Sequence, residues 1–424
     1  MTQEDTTTNP VETDGVIGGR NHFTDFDLDS AEYAEHYDEV LDALLDRCPV
    51  ARSEAFDGYW VVARAEDFKR CAVDHRTFTS TKGFEPAHGN EGDGGMKLYP
   101  LQIDPPYQTR WRQALGPYFG VKAVAELEPG IREHANFLID SFIERGSCDF
   151  VAEFAAQLPA RVFFGSFLRV PFDQIPPVQK ATDDAIRGPG EGRGAAWGII
   201  GAFLTDYLQK RTEEPPRGDF VDAVLAGVET DEGEPAPYEH KLFTMIDFLA
   251  GGIGTTSHTL ASLAHHLATR PDHVERLAQE PGLRDNAVEE VIRIFAPVTA
   301  LGRTATVDTE IAGQAIKAGD LVMLSEAAAC RDPRVTDDPS EVKLERRVPI
   351  NLAFSYGPHR CIGAHVARLV MRVALDELLR RLPDLAVAPG EAPTFSNSGV
   401  ARNMDTLPLV FTPGAREVVA EEPA

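Results

Sequence analysis

The hydrophobic positions along most of the chain recur every three to four residues, which is the spacing of an amphipathic helix. This periodicity predicts helices over residues 121–145, 240–270, 284–296 and 364–382. Short apolar or alternating runs predict strands over residues 58–63, 303–311, 320–325 and 407–411. Because these strands are few and do not alternate regularly with helices, we expect a mainly α fold with a small β subdomain.

Polar and glycine-rich segments divide this pattern. Residues 81–106 are rich in Gly, Pro and polar side chains, as in a long binding loop or lid, and residues 186–198 form a second glycine-rich interruption between helices. Residues 1–20 are polar and acidic, so we expect a flexible N-terminal tail, with a C-terminal tail over residues 413–424. Residues 21–412 are then expected to form one domain.

The charge of the chain excludes several classes of partner. The formal net charge is -26, from 67 acidic and 41 basic residues, and such a field repels nucleic acid and anionic membranes. The five cysteines are scattered and lack a C-x-x-C pair, which argues against disulfides and zinc and favours a reducing cytoplasm. No secretory signal and no apolar run of about 18 residues is present, so no membrane span is expected.

The most informative cysteine lies in "FSYGPHRCIG", residues 354–363. A turn at Gly357 precedes Cys361, and a predicted helix follows it directly. A thiol at a helix N-terminus beside His359 and Arg360 is expected to have a lowered pKa and to be a thiolate. Such a thiolate can be a nucleophile, a redox thiol or a metal ligand, whereas a lone cysteine is more often a buried structural residue.

The residues around this cysteine follow a longer pattern. Phe354, Gly357, His359, Cys361 and Gly363 fit F-x-x-G-x-[R/H]-x-C-x-G, the haem-binding signature of the cytochrome P450 family. The chain resembles the bacterial, soluble class of these haem-thiolate monooxygenases, and in particular its camphor- and terpenoid-hydroxylating branch. The resemblance implies the cytochrome P450 fold and heme b (iron protoporphyrin IX), with Cys361 as the iron ligand and His359 at a haem propionate.

A second motif lies upstream, in "EEVIRI". Glu290 and Arg293 are three residues apart on one predicted helix face, a spacing that alone is typical of surface ion pairs. The pair resembles the E-x-x-R motif of the family, which implies a buried structural role. At the position of the family's third partner, an arginine, this chain has Glu341, so Arg346 or Arg347 is a candidate substitute.

Glycines interrupt the longest predicted helix in "FLAGGIGTTSHTL", residues 248–260. Gly251, Gly252 and Gly254 each cost about 1 kcal/mol relative to alanine. Close helix packing would explain the glycines, but together with Thr255 they resemble the oxygen-activation motif A/G-G-x-D/E-T. The resemblance implies that Thr255 supports proton delivery. Because Gly254 replaces the usual acid, the proton is expected to arrive through water or another side chain, or the chemistry departs from ordinary hydroxylation.

Two further segments contain expected haem contacts. "DPPYQTRWR" resembles the family's D-P-P-x-H-x-x-x-R segment, with Gln108 in place of the histidine and Arg112 at the arginine. Arg303 in "GRTAT" occupies the place of another propionate arginine. Each arginine alone would more often be an ordinary surface residue. The resemblance implies that Gln108, Arg112 and Arg303 bind the two haem carboxylates together with His359.

The expected substrate pocket is mostly apolar, as for a small hydrophobic ligand. By resemblance it comprises Met96, Leu98, Leu101, Asp247, Ala250, Val298, Leu301, Val400 and Ala401. Asp247 is the exception, because a buried carboxylate is costly unless it is paired. Two interpretations are open: Asp247 meets Thr244, a neighbouring helix or water, or it recognises an amine or hydroxyl group of the substrate.

No flavin or iron–sulfur pattern occurs in the sequence, so an external ferredoxin and ferredoxin reductase are expected to supply the electrons. His365, Arg368 and Arg372 share one face of the helix after Cys361 and, with Arg112 and Arg360, form a candidate basic docking patch. The alternative is that these arginines form ion pairs or are simply solvated.

The predicted function is therefore a haem-thiolate monooxygenase that inserts one oxygen atom from O2 into a small or medium hydrophobic substrate. A second interpretation keeps the scaffold but assigns an atypical oxidation: dehydrogenation, C–C cleavage or a peroxide-driven reaction, as Gly254 suggests. A third is a non-catalytic haem sensor or carrier, which the presence of Thr255, Glu290 and Arg293 disfavours.

Overall fold

A computed structural model describes residues 14–86, 97–171, 174–187, 190–398 and 400–417. Helices dominate these residues, as the hydrophobic periodicity predicts. The α-helices are α1 (Ala31–Glu35), α2 (Tyr37–Arg47), α3 (Ala65–Val73), α4 (Tyr107–Leu115), α5 (Val121–Ala125), α6 (Glu128–Phe142), α7 (Gln157–Arg161), α8 (Ile175–Arg187), α9 (Gly190–Glu213), α10 (Phe220–Ala226), α11 (Tyr238–Thr269), α12 (Pro271–Gln279), α13 (Arg284–Ile294), α14 (Glu326–Ala329) and α15 (Ala364–Arg381).

The strands are short and lie in small sheets. They are β1 (Val16–Ile17), β2 (Arg20–Asn21), β3 (Val50–Ser53), β4 (Tyr59–Val62), β5 (Phe78–Thr79), β6 (Ser147–Asp149), β7 (Leu301–Ala305), β8 (Thr309–Ile311), β9 (Gln314–Ile316), β10 (Leu321–Leu324), β11 (Ala386–Val387), β12 (Thr394–Ser398), β13 (Ala401–Thr406) and β14 (Pro408–Val410). The largest sheet has the order β3-β4-β10-β7-β5, with β4 and β10 parallel and the other pairs antiparallel. The mainly α fold with a small β part is confirmed.

The predicted helices over 240–270, 284–296 and 364–382 are confirmed to within two residues at each end. Other boundaries differ. The helix predicted over 121–145 is divided into α5, α6 and a 3-10 turn, and α6 restarts with Pro129 in its first turn, where the missing N–H costs nothing. The strand predicted over 303–311 is two strands, because β8 leaves the large sheet to pair with β9.

Ordered structure also extends into the predicted tails and the second glycine-rich segment. β1 and β2 form a hairpin within residues 16–21, so the last residues of the tail predicted over 1–20 are ordered. At the other end, the Gly414 N–H donates to Ile143 O at 3.1 Å, and Glu417 pairs with Arg380 at 2.6 Å. α8 ends at Arg187 and α9 begins at Gly190, so most of the interruption predicted over 186–198 is helical, and residues 188–189 lie outside the described part.

The central element is α11, a helix of 32 residues that is buried along much of its length. Its C-terminal half packs Leu260 and Leu263 into an apolar cluster that includes Val370 and Leu375 of α15. Its N-terminal half packs Met245 and other apolar residues against α4, α8, α9 and the 97–103 loop. A helix that is apolar on several faces belongs in the interior. Among the described residues, no helix has the length and apolar character needed to cross a membrane.

Candidate functional site

The loop that leads into α15 positions Cys361 by backbone hydrogen bonds. The Cys361 N–H donates to Phe354 O at 2.8 Å, which closes the loop on itself. Gly357 has a φ of +71°, and a Cβ at this position would lie 2.8 Å from the carbonyl oxygen of Ala72 in α3. Only glycine fits both requirements. The turn is therefore held tightly against α3, with the thiol three residues before α15.

The electrostatics of Cys361 differ from the prediction. Part of its side chain is solvent accessible, yet protein surrounds it closely enough for burial to raise the pKa of the thiol. The Gly363 N–H and the Arg112 charge lower the pKa only in part. The expectation of a lowered pKa was wrong, because desolvation outweighs the helix terminus. A metal ion would supply the missing stabilisation of the thiolate.

His359 is not one of the cations near the thiol. Its Nε2 lies 3.1 Å from Ser80 Oγ, and burial together with the charges of Arg303 and Arg112 holds its pKa well below 6.5. The ring is neutral at pH 7. Because both guanidinium groups act on the same imidazole, the structure brings Arg112, Arg303 and His359 together as the resemblance implies.

Helix α4 is attached to the cysteine loop on both sides of His359. The Gln108 side-chain amide donates to Pro358 O at 2.5 Å, and Arg112 Nη2 donates to Arg360 O at 2.6 Å. Gln108 is buried. The D-P-P-Y-Q-T-R-W-R segment thus joins the site through this helix, although the two atoms named here contact backbone carbonyls.

Arg303 approaches from β7 and is buried, which lowers the pKa of its guanidinium. A buried carboxylate that the sequence analysis missed, Glu326 at the start of α14, lies close enough for its charge to act on Arg303. Burial raises the pKa of Glu326 to about 8. Ser80 was missed as well; its N–H donates to Asp104 Oδ1 at 3.0 Å. The only signal in the sequence was that Asp104 opens the D-P-P segment.

The middle of α11 presents an accessible backbone surface. Gly251 and Gly252 are exposed in the middle of this helix, and a Cβ on either would meet nothing within 4 Å. The Thr255 hydroxyl donates to Gly251 O at 2.7 Å, as expected for a threonine inside a helix. Gly254 is buried. Close helix packing therefore does not explain Gly251 and Gly252.

Two segments far apart in sequence meet at the predicted substrate pocket. Val298 and Ala401 form an isolated β-bridge, and both the N–H and the hydroxyl of Thr299 donate to Val400 O, at 2.8 and 3.0 Å. Leu301 begins β7 directly afterwards. The structure thus brings Val298, Val400 and Ala401 together. Thr299, which holds them, was missed by the sequence analysis.

The other predicted pocket residues lie on α11 and the loop before α4. Leu98 and Leu101 belong to the apolar cluster that also contains Ile246 and Leu249, and Ala250 is half-buried on α11. Met96 lies outside the described residues. Asp247 accepts a hydrogen bond from the Leu101 N–H, and burial raises its pKa to about 8.

Glu290 and Arg293 form the predicted buried pair. Arg293 Nε donates to Glu290 Oε1 at 2.7 Å, and neither side chain is more than 3% exposed. Arg346 Nη1 donates to Glu290 Oε2 at 2.6 Å, so Arg346, not Arg347, supplies the third member. Glu341 contributes only its carbonyl oxygen, which accepts from Arg293 at 3.2 Å.

The arrangement suits a flat macrocycle with two carboxylates. The charge of Asp247 on α11 acts on the pKa of Cys361 and of Arg112, so α11, α4 and the cysteine loop (residues 354–363) lie close together, and we call the region between them the cleft. Accessible glycines lie along one side of this cleft, a sulfur ligand is reachable, and two arginines with a neutral imidazole cluster nearby. These donors fit heme b: thiolate to iron, and guanidinium groups to propionates.

Comparisons with known proteins point the same way. The profile of the family described as Cytochrome P450 matches residues 191–406, just over half of the chain. The chain is 30% identical to the vitamin D(3) 25-hydroxylase of Pseudonocardia autotrophica over 396 residues, which covers 91% of this chain and 96% of that protein. The chain belongs to the cytochrome P450 family. This P450 is a haem monooxygenase, and its cofactor is heme b.

Other relatives and solved structures agree. The steroid C26-monooxygenase of Mycolicibacterium smegmatis is 32% identical over 346 residues, 80% of this chain and 84% of that protein. The crystal structure of cytochrome P450 CYP101C1 has a TM-score of 0.82 and 28% identity, covering 92% of this chain and 97% of that one. A P450 EryK mutant in complex with erythromycin B has a TM-score of 0.81 and 26% identity over 91% and 98% of the chains.

The basic patch predicted near Cys361 is largely neutralised in the structure. Arg368 pairs with Glu289, and Arg372 pairs with Asp285 and Asp376. Burial lowers the pKa of His365, so this side chain is neutral at pH 7. For both arginines the alternative, ion pairing, is correct. Arg360 is exposed and has no acidic partner within 4 Å among the residues that the structure describes.

Proposed function

We propose that this P450 inserts one oxygen atom from O2 into a small or medium hydrophobic substrate, held among α11, the 97–106 loop and the β12–β13 turn. The observation that carries this proposal is the junction at Thr299. Its two hydrogen bonds to Val400 O and the β-bridge between Val298 and Ala401 hold these predicted pocket residues together. The names of the vitamin D(3) and steroid relatives also indicate hydrophobic substrates for those proteins.

The chain's own residues divide the work in this proposal. Cys361 would ligate the iron, and Gln108, Arg112, Arg303 and His359 would hold the propionates. Bound haem supplies the oxygen and electron chemistry. Protein groups perform the remaining tasks: they orient the substrate, exclude water and hold protons.

The hydrogen bond from Thr255 to Gly251 determines how the threonine can take part in proton delivery. Because its hydroxyl hydrogen is donated to Gly251 O, the lone pairs of Oγ1 are left to accept a hydrogen bond from water in the cleft. Gly254 has no side chain to relay a proton. We therefore propose that protons enter through water ordered by Thr255.

We propose an external ferredoxin and its reductase as the electron source, in the cytoplasm, where the free cysteines of the described chain stay reduced. The proposed docking point is the surface of the cysteine loop at Arg360. This position places the donor beside the thiolate ligand, and the exposed cation complements an acidic ferredoxin.

The test begins with a CO-difference spectrum, which reports the thiolate ligand. A panel of terpenoid, aromatic and steroid ligands is then scored by the low-to-high-spin Soret shift. Ligands that shift the spectrum should stimulate NADH consumption by ferredoxin and reductase, and 18O2 should label the product. Spin shifts without turnover for every ligand would instead indicate a haem sensor or carrier.

Gly254 favours a second candidate, a peroxide-driven or otherwise atypical oxidation. Hydrogen peroxide already carries the protons that O2 lacks. A site without the usual acid would therefore depend less on proton delivery when peroxide is the oxidant. Product analysis with donor proteins, compared with hydrogen peroxide alone, separates the two. Faster product formation with peroxide, or desaturated or cleaved products, would favour the second candidate.

A further inference from the structure

The unexplained residue of the cleft is Asp247 on α11. Its sequence neighbours Ile246 and Leu249 are buried in an apolar cluster with Leu98, and Phe248 packs against the same cluster. A carboxylate here is costly to the fold. No role described above for haem binding or proton handling uses it.

The contacts of Asp247 show where it points. The Leu101 N–H donates a hydrogen bond to its carboxyl group, and Thr244 is not its partner, since the Thr244 hydroxyl donates to His240 O at 2.7 Å. Its charge acts on Arg112 and Cys361, which lie across the cleft. Asp247 is only partly buried, so some of its surface is accessible. A carboxylate accepts about four hydrogen bonds, and one N–H leaves capacity for a ligand.

Among the residues that the structure describes, no cation forms an ion pair with Asp247. The charge of Arg112 only partly offsets the effect of burial on the pKa of Asp247, and its Nη2 donates a hydrogen bond to Arg360 O. His240, two turns earlier on α11, has a pKa lowered by burial, and its Nδ1 lies 2.8 Å from the Tyr107 hydroxyl. His240 is therefore neutral above pH 7 and supplies no counter-charge.

We propose that Asp247 selects substrates that carry a cationic nitrogen, which it binds as the counter-ion at the α11 side of the cleft. This inference rests on the proposed function, because it adds a cationic group to the hydrophobic substrate proposed there. The net charge of -26 supports it, since such a field concentrates cations near the protein. The ligand would pair its nitrogen with Asp247 and pack its hydrocarbon part against the pocket wall at Val298 and Ala401.

The proposal implies a defined pH dependence. Burial raises the pKa of Asp247 to about 8 in the free protein, so below that pH a cation must displace the proton before it can pair. The affinity for a permanently charged ligand should therefore rise by up to about tenfold per pH unit from pH 6 toward pH 8 and then level off. Arg112 stays charged and His240 stays neutral over the upper part of this range.

The test uses a matched pair of ligands on the haem-loaded enzyme: an adamantyl trimethylammonium ion and its neutral tert-butyl isostere. A quaternary nitrogen cannot ligate iron, so the Soret spin shift reports pocket binding alone. We expect the ammonium ligand to bind at least tenfold more tightly than the isostere at pH 8. D247N should abolish the preference and its pH dependence, because the amide still accepts from Leu101 but has no charge.

The matched control is E239Q, which removes one negative charge from an exposed position on the same helix. It should leave the ligand preference unchanged. Equal affinities for both ligands in the wild type, with no pH dependence, would overturn the inference, while a spin shift by the isostere would still support the proposed function. If D247N fails to retain haem, the pH series on the wild-type enzyme decides alone.

Discussion

At the scale of single residues, Glu290 shows how a buried charge is stabilised. Its carboxylate accepts from Arg293 at 2.7 Å, from Arg346 at 2.6 Å and from the Lys343 N–H at 3.0 Å. These donors arrive from α13 and from the irregular segment before the cysteine loop. One buried anion therefore joins two parts of the chain that support the site.

We expect Arg346→Ala to lower the free energy of unfolding by about 1–3 kcal/mol, because Glu290 stays buried with one charged donor fewer. Urea unfolding of the haem-loaded protein measures the change. Arg347→Ala is the matched control, since Arg347 is the exposed neighbour. An equal loss of unfolding free energy in both variants would show that the effect of Arg346 does not depend on its bond to Glu290.

Glu326 gives a prediction about pH. Its carboxyl is buried beside Arg303, and burial raises its pKa to about 8 from 4.5. Between these pH values the unfolded chain has lost the proton that the folded chain keeps, so this group makes stability fall as pH rises.

Glu326→Gln should remove this contribution. Relative to the wild type, its free energy of unfolding should therefore increase by about 1 kcal/mol per pH unit between pH 5.5 and 7.5. Urea unfolding at several pH values gives the slope. Glu310→Gln, at an exposed position on β8, serves as the control and should run parallel to the wild type. A wild-type slope retained in Glu326→Gln would contradict the assignment.

At the scale of elements, the decisive one is α11. Its glycines weaken the helix locally, yet both ends are buried in apolar clusters, so packing holds the helix continuous through the cleft. The accessible backbone at Gly251 then leaves room for a ligand beside Thr255.

We expect Gly251→Val to leave the helix intact, with stability changed by less than about 0.5 kcal/mol. Ligand affinity in the spin-shift titration should nevertheless fall at least tenfold, because two methyl groups occupy the cleft. Gly194→Val on α9 is the control: its Cβ also meets open space, but away from the cleft-lining helix. Unchanged affinity in Gly251→Val would show that ligands do not reach this turn.

At the scale of the whole molecule, the negative charge shapes how a donor approaches. A chain with a net charge of -26 repels an acidic ferredoxin except where cations are exposed and unpaired. Ion pairs remove Arg368 and Arg372 from that role. Arg360 on the cysteine loop remains.

Arg360→Glu should slow reduction by ferredoxin about tenfold or more at low salt, with a smaller effect at high salt, because screening weakens the repulsion. Stopped-flow reduction measures this rate, and dithionite reduction should not change. Lys210→Glu, an exposed charge reversal on α9, is the control and should have little effect. Equal slowing of both reductants would mean that the substitution disturbs the haem site itself.

The sequence by itself determined the family and the mainly α architecture, and it predicted most residues of the candidate site. A local signature such as that around Cys361 is readable because its glycines, turn and following helix are set by neighbouring residues. The long periodic helices were predictable for the same reason, to within two residues for α11, α13 and α15.

Only the tertiary structure decided what depends on burial and on distant partners. It selected Arg346 over Arg347 as the partner of Glu290 and gave Asp247 a hydrogen bond from Leu101 rather than from Thr244. It also keeps His359 uncharged and places Arg372 in an ion pair. Desolvation and ion pairing arise from side chains that meet across the fold, so no local pattern reports them. The raised pKa values of Asp247 and Glu326 follow from that same burial.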